Sequence, residues 1–205
     1  MLFTASGGKA YYAAPALTGL FAAGAVRVEQ RESARGRRAW PVLISVMMVI
    51  SVLVCLPVLP PQAANKIRAI NPDVMETYGW PQFVGEAAQL SKSLPPDVPI
   101  FTSDYEEAGA LTILGPAHGI DRTIASGHNN YWLWGPPPGS DQTVLVIGIT
   151  AADLQKVFKK VTEIAPYSLP DGLRNNEIDR GVAFYLCQDP DGTWAQLWPS
   201  LEHLD

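Results

Sequence analysis

The stretch Trp40–Pro60, WPVLISVMMVISVLVCLPVLP, is the most apolar part of the sequence, and no charged residue occurs from Ala39 to Asn65. About 20 apolar residues in a helix, each rising 1.5 Å, cross the hydrocarbon core of a bilayer. A buried core helix is the alternative. A run that is apolar on every side and begins with a tryptophan favours the membrane over that alternative. The stretch therefore predicts a transmembrane helix.

A second uncharged stretch of 17 residues, Ala10–Val26, precedes the first. It is rich in alanine and glycine and lies at the short limit for a membrane span, but small residues allow close packing against another helix. Five arginines separate the two stretches, and short basic loops remain on the cytoplasmic side of a membrane. We therefore predict that residues 1–64 form two transmembrane helices joined by a basic cytoplasmic loop. Residues 65–205 then form a domain on the outer face.

Charge is distributed unevenly along the chain. Residues 1–60 contain six basic and two acidic residues, whereas the remainder contains nine basic and eighteen acidic residues. An acidic outer domain argues against nucleic-acid binding, which requires clustered positive charge. The two cysteines, Cys55 and Cys187, fall in the predicted helix and the predicted outer domain, so we expect no disulfide between them.

The outer domain shows alternating helix and strand patterns. Helices are predicted over Trp80–Leu94 and Tyr105–Leu114, and strands over Ile100–Ser103, Thr143–Ile149 and Val182–Cys187. Apolar residues at helical spacing between Leu154 and Ile164 predict a further amphipathic helix. Alternating strands and helices predict a small α/β domain with a largely parallel sheet.

The segment SGHNNYWLWGPPP, residues 126–138, is the most unusual in composition. Its candidate ligand contacts are His128, Asn129, Tyr131, Trp132 and Trp134. Aromatic faces beside amide groups suit a carbohydrate or a prenyl-linked sugar, which offers C–H faces for stacking and hydroxyls for hydrogen bonds. The alternative is an ordered loop whose tryptophans fill the core or lie against a membrane.

The acidic residues Asp104, Glu106 and Glu107 follow a predicted strand, where α/β folds commonly place their sites. Paired carboxylates act as a general base or bind a divalent metal. They also stabilise the amino terminus of a helix without any ligand, and this alternative stays open. The histidines have no zinc-ligand spacing, and the glycines form no phosphate-binding fingerprint. We expect no cofactor, with a divalent metal left open.

Four segments together resemble a known family. They are GGKAYYAAPALTGLFAAGAVRVE (residues 7–29), TSDYEEAGAL (102–111), SGHNNYWLWGPPP (126–138) and WAQLWPSLEHL (194–204). They are similar, in the same order, to segments of bacterial family 39 glycosyltransferases, which are related to dolichyl-phosphate-mannose protein mannosyltransferases. Leu17 and Thr18 replace the usual Tyr-Pro pair, Asp104 replaces Asn, and Glu106 replaces Gly.

The resemblance implies a GT-C enzyme with many membrane helices in the plasma membrane. Such an enzyme transfers a sugar, a mannose-like hexose or a pentose, from a polyprenyl-phosphate donor to an acceptor on the outer face. The family's catalytic acid lies in an early external loop that this sequence does not contain. We therefore expect no catalytic residue here, and a C-terminal portion that is inactive without the remaining helices of the enzyme.

The resemblance also assigns contacts within this chain. It implies that Lys9, Tyr11 and Tyr12 contact the donor phosphate. Contacts to the sugar or acceptor fall on Glu107, His128, Asn129, Tyr131, Trp132 and Trp134. The expected partners are the donor, the bilayer and the rest of the enzyme, with no nucleic acid. The alternative function is a membrane-anchored α/β domain that binds a glycan or a protein partner without catalysis.

Overall fold

The computed structural model describes residues 14–31 and 34–204. The chain divides between Leu53 and Val54 into two compact units. The first unit contains helix α1 (Ala14–Arg31) and most of helix α2 (Ala34–Cys55).

Helix α2 holds only part of the apolar run that predicted a membrane span. It ends at Cys55, and the following residues, as far as Leu59, form bends and turns. Sixteen helical residues from Trp40 to Cys55 rise about 24 Å, which is less than the roughly 30 Å of a hydrocarbon core. Within the ranges described, none of the helices combines the length and the apolar character needed to cross a membrane. The prediction of two transmembrane helices is therefore wrong.

The second unit is an α/β domain of five strands and several short helices. Its helices are α3 (Pro61–Ile67), α4 (Trp80–Ser91), α5 (Tyr105–Leu114), α6 (Ala151–Leu154), α7 (Asn176–Asp179) and α8 (Trp194–Leu197). Its strands are β1 (Ile100–Thr102), β2 (Ile124–Ser126), β3 (Thr143–Ile147), β4 (Phe158–Pro166) and β5 (Ala183–Pro190). Short 3₁₀ helices include Pro72–Thr77, Asn129–Trp134 and Trp198–Ser200.

The strands form one mixed sheet in the order β2-β1-β3-β5-β4. Strand β1 is parallel to both β2 and β3, whereas β5 is antiparallel to both β3 and β4. The α/β class is as predicted, but the prediction of a largely parallel sheet is wrong. The antiparallel half consists of β5, which is antiparallel to β3, and of β4, a segment predicted to be helical, which pairs with β5 at the edge.

The predicted amphipathic helix between Leu154 and Ile164 is also wrong. A single helical turn, α6, ends at Leu154, and the chain then enters the edge strand β4. Val161, Thr162 and Ile164 are β-branched and suit a strand. Their strand is at the sheet edge and largely exposed, so the alternation of apolar and polar residues that marks a half-buried strand is weak.

Apolar side chains pack on both faces of the sheet. Helices α4 and α5 cover one face, where Phe83 and Leu111 pack in a cluster with Ile100, Leu145 and Phe184. The other face carries a second cluster that includes Phe101, Val146, Tyr185, Trp194 and Trp198. Adjacent residues of β1 and of β3 thus enter opposite clusters, as the two-residue period of a strand requires.

Arg122 fastens the end of α4 to the start of β1. Its guanidinium donates hydrogen bonds to the carbonyl oxygens of Ser91 (2.7 Å), the last residue of α4, and of Leu94 (3.1 Å), which lies three residues further on. It also donates to the carbonyl oxygens of Pro95 (2.7 Å) and Val98 (2.9 Å). Carbonyl groups at a helix carboxyl end lack partners within the helix, and a cation is favoured there.

Candidate functional site

The carboxyl ends of the three parallel strands lie at one edge of the sheet, the usual position of sites in α/β folds. β1 leads there into Asp104, β2 into His128, and β3 into Gly148. Asp104 and His128 belong to two of the segments that carry the family resemblance. The C-terminal segment reaches the same edge through His203, which pairs with His128. Three of the four segments therefore contribute to this edge.

Asp104 and Glu107 form a capping box at the start of α5. The Asp104 carboxylate accepts from the Glu106 amide at 3.0 Å, and Glu107 Oε2 accepts from the Asp104 amide at 3.3 Å. A capping box satisfies amides that have no partner within the helix. Asp104 and Glu107 therefore stabilise the start of α5 through hydrogen bonds within the chain.

Glu107 is fully buried and is held from two further sides. Arg180 donates from Nη2 to Glu107 Oε1 at 3.3 Å and from Nη1 to Asp104 Oδ2 at 3.1 Å. A Cβ atom on Gly148 would lie 2.6 and 2.7 Å from the two Glu107 oxygens, and Gly148 has a φ of +81°. Glycine at this position therefore provides both the space for the carboxyl group and the left-handed turn after β3.

Burial raises the pKa of Glu107 to about 8, even though the nearby Arg180 opposes the shift. Removing a carboxylate from water disfavours its charged form more than one partly exposed guanidinium compensates. Glu107 is therefore mainly protonated at neutral pH. A protonated carboxyl still accepts the Asp104 amide through its carbonyl oxygen.

His128 lies over this cap and is almost completely buried. Its Nδ1 atom is 3.4 Å from Asp104 Oδ1 and 3.4 Å from the Tyr105 amide nitrogen. The imidazole ring packs between two aromatic neighbours, with ring centroids 4.7 Å from His203 and 4.8 Å from Tyr105. The ring orientation of His128 is thus set by the start of α5 and by the C-terminal segment.

The C-terminal segment adds a short parallel bridge at this edge. The Asn129 amide donates to the His203 carbonyl at 3.0 Å, and the His203 amide donates to the Gly127 carbonyl at 3.1 Å. His203 Nε2 lies 2.9 Å from the Ser103 carbonyl oxygen. A Cβ atom on Gly127 would lie 2.0 Å from the Leu201 carbonyl oxygen, so only glycine permits this close approach.

The aromatic residues of segment 126–138 divide into two groups. Trp132 and Trp198 donate from their indole nitrogens to each other's carbonyl oxygens, at 2.9 and 3.1 Å, which joins the loop to the C-terminal segment. Tyr131 and Trp134 pack against each other with centroids 4.4 Å apart, and Trp134 is 71% exposed. The first pair is structural, whereas the second offers aromatic surface to a ligand.

A cavity of about 550 Å³ opens beside the first turns of α5. Its lining residues are Asp73, Glu76, Thr77, Trp80, Tyr105, Glu106, Gly109, Ala110, Ile113 and Leu114. A Cβ atom on Gly109 would lie 3.8 Å from the Tyr131 hydroxyl, so Tyr131 lies beside one of the lining residues. The volume is within the range of small-molecule sites.

The structure brings most of the candidate residues to this edge but gives them different exposures. Glu107 and His128 are buried, Trp132 is partly buried, and Trp134 is at the surface. Asn129 has a φ of +51° and starts the turn that holds the aromatic residues. The proposed phosphate contacts Lys9, Tyr11 and Tyr12 lie outside the described residues. Among the residues that are described, no group of acidic, histidine or cysteine side chains could hold a metal ion.

No sequence pattern identified Glu76, Glu177 and Arg180 as part of this site. Arg180 directly follows α7 and is far along the chain from the acidic residues that it contacts. One feature of the sequence could have indicated such a residue. No basic residue lies close in sequence to Asp104, Glu106 and Glu107, so a cation that pairs with them has to come from a distant segment.

No model of a known protein family matches the chain, and neither a curated protein nor a solved structure is significantly similar to it. The resemblance to family 39 glycosyltransferases therefore rests on the four quoted segments, and it stays a prediction.

Proposed function

We propose that this chain is part of a glycosyltransferase that takes its sugar from a polyprenyl phosphate, and that the α/β domain binds the sugar or the acceptor. One observation carries the proposal. Three segments that resemble the family, distant from one another in sequence, contact each other at one sheet edge through Asp104, His128, His203, Trp132 and Trp198. Convergence of this kind is expected of segments that build one site.

The chemistry at this edge suits a carbohydrate. Tyr131 and Trp134 provide aromatic faces on which the C–H groups of a sugar ring can pack. The adjoining cavity contains the carboxylates of Glu76 and Glu106, which accept hydrogen bonds from hydroxyl groups.

The role assigned to this chain is binding. Glu107 is fully buried, bonded to the Asp104 amide and to Arg180, so it does not reach an acceptor hydroxyl as a general base. In this proposal the donor phosphate is contacted by Lys9, Tyr11 and Tyr12, at the plasma membrane, and the proton-transfer step belongs to a part of the enzyme outside this sequence.

The proposal is tested by titrating the purified 205-residue chain with a short-chain polyprenyl-phosphate hexose, followed by calorimetry. Trp134→Ala removes one exposed aromatic face and should weaken binding about two- to tenfold, the value of a single aromatic contact. Leu133→Ala is the matched control, because Leu133 is the neighbouring side chain and is 70% exposed. Absence of saturable binding, or equal binding by parent and Trp134→Ala, would contradict the proposal.

A second candidate function is binding of a glycan without catalysis. The exposed side chain of Trp134 favours it, since an exposed aromatic face is suited to packing against a sugar ring. Free oligosaccharide distinguishes the two functions. If it binds as tightly as the polyprenyl-phosphate hexose, the lipid phosphate contributes nothing and the second function is preferred.

A further inference from the structure

We propose that strand β4 is the interface at which two copies of this chain pair edge to edge, in antiparallel orientation, to form one continuous sheet. Among the described strands, β4 lies at the end of the sheet and its neighbour is β5. Most of its nine residues are exposed. A long edge strand presents backbone donors and acceptors with which another strand can pair. The proposal does not depend on the sugar-binding role proposed above.

The hydrogen bonds of β5 show which backbone groups of β4 face outward. Successive residues of an antiparallel strand direct their N–H and C=O groups to opposite sides. Ala183 and Asp189, two odd-numbered residues of β5, bond to the residues that flank β3, at 3.3 and 3.1 Å. The even-numbered residues of β5 therefore bond to β4, and in the observed register two of them lie opposite Lys160 and Thr162.

Lys159, Val161 and Glu163 alternate with these two residues, so their N–H and C=O groups point away from the sheet. Their side chains lie on one face of β4, because the side chains of a strand alternate between its faces. Val161 packs on that face against the second core cluster. The β-bulge between Glu163 and Ala165 ends the regular stretch, which therefore extends over residues 159–163.

The order of these three residues, basic, apolar and acidic, is self-complementary. When two copies of β4 pair about a two-fold axis through Val161, each Lys159 lies directly opposite Glu163 of the second copy. This register joins residues whose backbone groups point outward in both copies, so up to six backbone hydrogen bonds can form. The axis is perpendicular to the sheet and preserves its faces, so the paired side chains lie on the same side.

The charges of the interface are not compensated within one copy. Neither Lys159 nor Glu163 forms an ion pair with another residue in the described part of the chain, whereas Lys160 lies 3.0 Å from Asp189. The Glu163 carboxylate accepts from the Tyr185 hydroxyl at 3.2 Å, which holds it beside the strand without neutralising it. Edge lysines commonly hinder pairing with another chain, but here each one meets a carboxylate.

The first test is the molecular mass of the purified 205-residue chain, measured by sedimentation equilibrium between about 1 and 100 µM. We expect a mass that approaches twice the chain mass of 22.2 kDa as the concentration rises. Lys159→Glu or Glu163→Lys places like charges opposite each other twice in the dimer and should weaken dimerisation about tenfold or more. The double variant Lys159→Glu/Glu163→Lys restores both pairs and should dimerise as the parent does.

Lys92→Glu is the matched control, because it makes the same change of charge at an exposed residue beside α4. It should leave dimerisation unchanged. Association through any other surface would be insensitive to the order of charges in β4, so the restored double variant separates this interface from the others. Circular dichroism confirms that each variant is folded.

The second test is a disulfide that forms between two different variants. Lys159→Cys and Glu163→Cys are prepared separately, each with Cys55→Ser to remove the exposed native thiol. In the proposed register the two new cysteines are opposite each other with Cα atoms about 5.5 Å apart, a distance that a disulfide bridges. Two copies of the same variant place their cysteines about 14 Å apart. Mild oxidation should therefore cross-link the mixture and neither variant alone.

Several results would overturn the proposal. They are a monomer over the whole concentration range, dimerisation that Lys159→Glu and Glu163→Lys leave unchanged, and a double variant that does not recover it. Equal loss in Lys92→Glu would show an effect of net charge alone. Cross-linking of either cysteine variant alone, to the extent seen in the mixture, would exclude the register.

Discussion

Replacing Glu107 by glutamine should stabilise the α/β domain at neutral pH and make its stability less dependent on pH. Burial raises the pKa of Glu107 from 4.5 to about 8. A carboxyl group whose pKa is raised by folding stabilises the protein below its unfolded pKa. That stability is lost as the pH rises towards the folded pKa, because the unfolded state then releases a proton that the folded state keeps.

The size of the effect follows from the shift. Each pH unit between the two pKa values changes the free energy of unfolding by about 1.4 kcal/mol. From pH 4.5 to pH 7 the loss for this one group is therefore about 3 kcal/mol. Glutamine keeps the acceptor for the Asp104 amide and cannot ionise, so the variant should avoid this loss.

Urea unfolding at several pH values between 5 and 8, followed by tryptophan fluorescence, measures the difference. Trp194 and Trp198 are buried in the second core cluster and should report the loss of packing. The pKa values of Glu76, Glu86 and Glu177 are also raised by burial, so only the difference between variant and parent isolates Glu107.

The exposed residue Glu202 offers the control, since Glu202→Gln should leave the profile of the parent unchanged. Parallel pH profiles for parent and Glu107→Gln would refute the reasoning. The reasoning would also be refuted if the parent became more stable relative to the variant as the pH rises from 5 to 8.

Three further changes test the packing around the site, each read from urea unfolding. Gly148→Ala should destabilise by about 2 kcal/mol or more, because its Cβ meets the Glu107 carboxylate at a positive φ, and adding Glu107→Asp should recover part of the loss. Arg122→Met should cost about 1–3 kcal/mol, because the carbonyl oxygens of Leu94 and Val98 lose their donor while those of Ser91 and Pro95 keep a backbone amide, and Arg122→Lys should cost less. Trp198→Phe should cost about 1–2 kcal/mol and increase hydrogen exchange around Trp132, whose carbonyl loses its indole donor; unchanged exchange would contradict this.

Local signals in the sequence predicted the part of the fold that lies around α5. The helix Tyr105–Leu114 has the predicted bounds, because Asp104 caps its first turn and Gly115 follows its last residue. The strand predicted over Thr143–Ile149 is present as Thr143–Ile147, a run rich in β-branched residues that is buried between two layers.

Local signals failed at two boundaries, one of which is decided by the pairing of distant strands. The apolar residues between Leu154 and Ile164 have the spacing of an amphipathic helix, yet pairing with β5 makes Phe158–Pro166 a strand. The apolar run Trp40–Pro60 has the composition of a membrane helix, but the helix within it ends at Cys55. Neither boundary is set by hydrophobicity, the property on which both predictions relied.

The motifs of the site could be predicted from the sequence, but the charged residues that interact with them could not. The Asp104 segment was recognised from its position after a predicted strand and the His128 segment from its composition, and the structure places them in contact. Glu177 lies in α7 and Arg180 directly follows it, and no sequence pattern near the acidic residues identifies which distant cation they use.

The arrangement around Glu107 is difficult to explain by stability alone. An apolar side chain of similar size would fill the same space without the loss of about 3 kcal/mol at pH 7. The capping bond from the Asp104 amide returns only part of that loss, since a hydrogen bond contributes about 1 kcal/mol net. Glu107 also accepts a hydrogen bond from Arg180, whose positive charge opposes the rise in the pKa values of Glu76 and Glu177. A destabilising buried carboxyl that holds an arginine among other carboxylates is the pattern expected where residues serve binding rather than packing.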